Sequence, residues 1–178
     1  MDVDENGWAT GKIDALPLER AWTLFSPEAE ARADTVRWAH HARTFFSLEL
    51  TVTPTKLYPT GAFPLADLCE IAVGRAGAAP ARVHVVTVPI DRSAGARAAG
   101  LAAALAPYGA GFDALVMRAK RLWQIAETPL TDGDARAPLV VAAVLAAVLL
   151  APILPPREVA IFGVKTARER LARLGYAT

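Results

Sequence analysis

A single cysteine, Cys69, stands among 178 residues. That excludes an internal disulfide framework and a cysteine-rich zinc centre. Charge imbalance is missing as well. Nineteen lysines and arginines face 18 aspartates and glutamates, and a net charge of +1 gives no pull toward a polyanion. Nucleic acid is therefore disfavoured as a partner. The opening residues, MDVDENGWATGKIDALP, lack both the basic and apolar regions of a secretory signal and the arginines of a transit peptide. With one reduced-looking cysteine, a cytoplasmic location is expected. Internal repeats and long linkers are lacking, so residues 1–178 read as one domain, with residues 1–17 as an irregular N-terminal segment. No catalytic triad, metal motif or dinucleotide fingerprint occurs. Gly163-Val164-Lys165-Thr166 resembles the end of a P-loop, but the upstream glycine required by that spacing is missing. No cofactor or metal is assigned.

What is present is apolar. Hydrophobic residues make up 53% and charged residues 21%, which excludes disorder for most of the chain. At this length roughly two thirds of the unfolded surface can be buried. Charge is unevenly spread: eight acidic and three basic residues occur up to Asp34, against ten acidic and 16 basic from Thr35 onward. The acidic segment could pack on a basic face of the rest, since Trp8, Ile13, Leu16 and Leu18 need cover.

Along the chain, Trp22 and Phe25 anchor an expected short helix over Leu18–Phe25. Ser26-Pro27-Glu28 reads as a cap, an N1 proline and a dipole-complementing acid. It predicts a helix reaching Thr44 or Phe45. Phe46–Thr53 reads as a strand. Thr53–Pro64, with three prolines, reads as a loop, and Leu65–Gly74 as a helix. Arg82–Ile90 is apolar on both faces, as a doubly covered strand should be. An alanine-rich helix, Ala94–Ala106, follows. Phe112, Leu115, Val116, Ala119, Leu122, Trp123 and Ala126 keep helical spacing and predict one helix to Glu127. Glu158–Phe162 is a short strand candidate, and Val164–Leu174 a final helix ended by Gly175. The expected fold is α+β and helix-rich: about three strands covered by five or six helices. The alternative is a parallel α/β sandwich, with Arg82–Ala106 as half of a βαβ unit.

Ala137–Leu154 carries no charge and lies between Arg136 and Arg157. Prolines 138, 152, 155 and 156 leave an unbroken helix of about 14 residues, roughly 21 Å. That is short of a hydrocarbon core of ~30 Å. A buried central helix is expected, and a membrane segment disfavoured.

Three histidines are the candidate catalytic groups. His84 lies within the apolar strand, where a neutral imidazole needs a hydrogen-bond partner. His40 and His41 are adjacent on the long helix, about 100° apart, so they cannot easily share a metal. Convergence of His84 with His40 or His41 and a carboxylate, Asp67 or Glu70, would make an acid–base site. Cys69 is expected to be a small buried hydrophobe. For binding, the strand-to-helix turn offers Asp91, Arg92, Ser93 and Arg97, because helix N-termini and arginines attract anions. Lys56 and Tyr58 could contact a ligand from the proline-rich loop. Lys165, Arg168 and Arg173 are expected to form a solvated basic face of the last helix.

Two readings of function follow. One is a protein or enzyme that binds an anionic small molecule between His84, the Asp91–Arg97 turn and the proline-rich loop. The other is a non-catalytic accessory or assembly protein, working as an oligomer or through a protein partner.

Overall fold

The computed structural model describes residues 2–3, 9–10, 14–53, 68–75, 77–90, 92–108, 111–157 and 160–176. Its strands are β1 (Asp2–Val3), β2 (Ala9–Thr10), β3 (Ala21–Ser26), β4 (Glu49–Thr53), β5 (Leu68–Gly74), β6 (Ala81–Pro89), β7 (Arg121–Ala126) and β8 (Ile153–Leu154). Its helices are α1 (Thr35–Phe46), α2 (Arg92–Leu105), α3 (Phe112–Arg118), α4 (Ala137–Leu149) and α5 (Val164–Arg173). β1 and β2 pair with each other. The other strands form one six-stranded sheet, ordered β4-β5-β6-β7-β3-β8, in which every neighbouring pair is antiparallel. The expected sheet of about three strands is thereby corrected. The parallel alternative is corrected too, although the fold stays mixed α and β.

Three expected helical stretches are strands, for separable reasons. In β3, Leu24 points into one core and Phe25 into the other. A central strand covered on both faces shows no period-2 alternation, so its apolar residues can imitate helical spacing. β7 repeats this: Leu122 faces one side, and Trp123 and Ile125 the other. The expected helix from Phe112 ends at Arg118, because Ala119 turns to extended backbone (φ −61°, ψ 139°). In β5 the alternation is plain. Cys69, Ile71 and Val73 are buried, while Glu70 and Ala72 between them are less so.

Ser26 is not a helix cap. It closes β3, and its hydroxyl accepts the Glu28 N–H at 3.2 Å. α1 begins only at Thr35, capped by Asp34, whose carboxylate accepts the Arg37 N–H at 3.0 Å. Of the strand candidate at 158–162, residues 158 and 159 lie outside the described residues. Phe162 makes an isolated antiparallel bridge to Ile153.

Helices cover both faces of the sheet. α1, α4 and α5 share a core with Leu24, Ile71, Val83, Val85, Trp123 and Ile125. α2 and α3 share the other with Phe25, Val86, Val88 and Leu122. α4 is the central element of the first layer, touching α1, α5 and four strands. Its residues from Ala137 to Ala146 are all buried, and Pro138 starts it where a missing N–H costs nothing. Among the described residues, no helix is long and apolar enough to cross a membrane. Trp38 of α1 meets Trp123 of β7 edge to face, with ring centroids 5.7 Å apart, so two large rings lock α1 to the middle of the sheet.

Candidate functional site

The sheet separates the candidate histidines. Strand parity puts Val83 and Val85 under α4, so His84 between them points to the other face. His40 (exposed) and His41 (half-buried) ride on α1, which packs on the first face. The three histidines therefore do not converge. His84 stands opposite Glu70 in the β5–β6 register, but the Glu70 carboxylate pairs with Arg82 at 3.2 Å. Ser93 and Arg97 are exposed on α2, one turn apart. Arg92 opens that helix. Asp91, Lys56, Tyr58 and Asp67 lie outside the described residues. Cys69 is buried, and burial pushes its thiol up to about 12, which removes it as a nucleophile. Among the described residues, no group of three His, Cys, Asp or Glu side chains could hold a metal.

A different place gathers charge around a concave surface. A groove of about 470 Å³ runs between β3, the start of α4 and the end of α5. Trp22, Leu139 and Leu174 give it apolar walls, and Arg136, Arg170 and Arg173 give it cations. Its volume lies in the range of ~300–1,000 Å³ usual for small-molecule sites. Glu127 is the one acid among its described lining residues, and Arg157 neutralises it at 2.8 Å.

Each arginine is placed by identifiable contacts. Asp134 accepts Arg136 Nε at 2.7 Å and Nη2 at 2.9 Å, a bidentate fork. Arg136 Nη1 donates to the Leu174 carbonyl. The Tyr176 hydroxyl donates to the same Asp134 carboxylate, and Arg136 stands 4.9 Å from the Tyr176 ring centroid. This clasp joins the residues before α4 to those after α5. Hydrogen bonding from Arg136 holds the Asp134 carboxyl down at about 2, against the opposing effect of burial. Burial, followed by the bond to Asp134, pushes Tyr176 up to about 12. Arg170 lies 4.4 Å from the ring centroid of Phe162, which in turn meets Trp22 edge to face at 6.5 Å. Arg173 is exposed in the last turn of α5, and among the described residues it has no ion-pair partner.

No member of this groove belongs to the sequence-derived candidate set. Arg136 was visible only as the flank of the apolar run, and Arg173 only as part of a solvated face. Spacing of three between Arg170 and Arg173, followed by Leu174, does place two cations and an apolar residue on neighbouring surface. Nothing local connects them to Trp22. Comparison with protein-family models, with curated proteins and with solved structures finds no match for this chain.

Proposed function

We propose that this protein binds an anionic small molecule, and that the groove between β3, α4 and α5 is the binding site. The observation that carries this reading is the set of three arginines around apolar walls, of which Arg136 is countered by Asp134 while the one acid among the described lining residues, Glu127, is engaged by Arg157. A ligand with an apolar body would lie against Trp22, Leu139 and Leu174. Its acidic group would take the Arg173 fork and the donors left on Arg136. The Asp134–Tyr176 clasp fixes Arg136 beforehand, so little side-chain entropy is lost when the ligand arrives. The one carboxylate among its described lining residues, Glu127, is already engaged by Arg157, which supports a reading of binding.

Native mass spectrometry of the chain purified from its cells tests this. The expected result is added mass in the wild type, lost in Arg173→Ser and reduced in Trp22→Ala. A bare chain that no anionic compound stabilises against heat would overturn the reading and favour the accessory-protein alternative.

A further inference from the structure

We infer that the junction of α1 and α5 at Phe45 is a second, separate site that takes a phosphate-type oxyanion between Arg37, His41 and Arg168. Arg37 and His41 stand one turn apart on α1, on the same side of the helix. Arg168 reaches over from α5 and lays its guanidinium on Phe45, with Cζ 3.7 Å from the ring centroid. The His41 ring lies 5.3 Å from that same ring. Groups from two helices therefore meet at Phe45.

Two polar atoms here are buried without a hydrogen-bond partner: His41 Nδ1 and Arg168 Nε. Buried polar atoms without a partner are rare in native proteins, and a bound anion is one of the few things that satisfies a donor such as Arg168 Nε. Charge points the same way. Among the described residues, neither Arg37 nor Arg168 nor His41 forms an ion pair with a carboxylate. The nearby Asp34 is engaged with the Arg37 backbone N–H as the α1 cap. Burial lowers the His41 pKa most, and Arg37 of its own helix, Arg168 from α5 and His40 of its own helix, all basic, lower it further. An oxyanion at this junction reverses that field and favours the imidazolium, which then donates from both ring nitrogens. Two guanidinium groups and an imidazole offer more donors than the two oxygens of a carboxylate can take, which suits the several oxygens of a phosphate better.

The site is distinct from the proposed groove, which uses Arg136, Arg170 and Arg173. The probe is inorganic phosphate, with chloride at equal ionic strength as control and acetate as the carboxylate arm. The readout is the NMR titration of the histidine ring protons in the full chain. In saturating phosphate the His41 pKa is expected to rise by about one unit, which means about tenfold tighter binding to its protonated form. His40 should shift far less, and acetate should have less effect than phosphate. Arg168→Gln and Arg37→Gln should each abolish the phosphate response, and Arg173→Gln should leave it intact. Arg37 is exposed, so its variant remains informative even where Arg168→Gln disturbs α5. Identical His41 curves in phosphate and chloride, or a phosphate response that survives Arg37→Gln and Arg168→Gln, would overturn the assignment. Loss of the groove ligand in the Arg173 variant, with this response unchanged, would separate the two sites.

Discussion

Gln124 holds Leu16 as a strand neighbour would. Its Nε2 donates to the Leu16 carbonyl at 2.9 Å, and its Oε1 accepts the Leu16 N–H at 2.8 Å. Thr23 on β3 accepts a third, longer bond from Nε2 at 3.4 Å. Gln124 is fully buried, and the chain before β3 is thus fastened to the middle of the sheet by one side chain. Gln124→Leu keeps the volume and removes all three bonds. It strands a backbone donor and acceptor, at a cost of about 1–3 kcal/mol. Urea unfolding should show a lower midpoint with an unchanged m-value. An unchanged midpoint would mean that water replaces the amide at no cost.

Gly133 is fixed by close approach rather than by its backbone angle. A Cβ there would lie 2.9 Å from Ala81 Cβ and 3.0 Å from Ala81 Cα. The surrounding loop cannot easily give way. Leu130 donates its N–H to the Arg82 carbonyl at 2.7 Å, and Thr131 Oγ1 accepts the Arg82 N–H at 3.1 Å. Gly133→Ala should cost about 1–3 kcal/mol through overpacking. Ala81→Gly removes one of the two contacts, so a double-mutant cycle should return part of the loss as positive coupling. Strict additivity of the two substitutions would argue that the loop moves away instead.

These contacts show why the fold was only partly legible. β6 could be read because valines occupy both of its faces, and no helical spacing fits Arg82–Ile90. β5 carried its alternation openly at Cys69, Ile71 and Val73, but Pro64 in front of it looked like a helix start. β7 was concealed because Leu122 and Trp123 are adjacent and both buried; one helical stripe or two covered sheet faces fit such a pair equally well. The site was less legible still. Parity places His84 opposite Val83 and Val85, yet which face α1 covers is decided by Trp38 meeting Trp123, a pairing across 85 residues of chain. Trp22, Arg136 and Arg173 form a groove only after β3 has entered the sheet as a strand.

The Asp134–Arg136–Tyr176 clasp gives the fold two pH limits. Asp134 titrates at about 2 in the folded chain, below its ordinary 3.8, so its contribution is complete above the ordinary value and disappears as pH falls through about 2. Tyr176 is displaced upward, from 10.0 to about 12, so its contribution is complete below 10 and is lost as pH rises toward 12. Asp134→Asn should therefore differ from wild type in melting temperature at neutral pH and converge on it near pH 2. Tyr176→Phe should remove the alkaline loss between pH 10 and 12 that this residue causes. Asp134→Asn also loosens the fork that positions Arg136, so it should change binding in the groove, whereas Tyr176→Phe, which keeps the Arg136–Asp134 pair, should change it little. Parallel wild-type and Asp134→Asn curves down the whole acid limb would show that the carboxylate bears no net stabilisation.

Leu150 ends α4 in the left-handed region, with φ 52° and ψ 39°, where its N–H caps the Ala146 carbonyl. The conformation suits glycine or asparagine; a leucine there carries a strain of roughly 1–2 kcal/mol. Burial does not compensate, since Leu150 is 77% exposed. Leu150→Gly relieves the strain but increases the entropy of the unfolded chain, and the balance should be a gain of up to about 1 kcal/mol. For a chain of this size that corresponds to a rise in melting temperature of roughly 2–4 °C. Leu150→Asn should give a smaller rise because asparagine relieves less of the strain than glycine, an effect partly offset because it adds no glycine-like freedom to the unfolded chain. A fall in stability for both would mean that the exposed leucine is covered in solution by a second molecule. Melting temperature would then depend on protein concentration in the wild type and not in the variants.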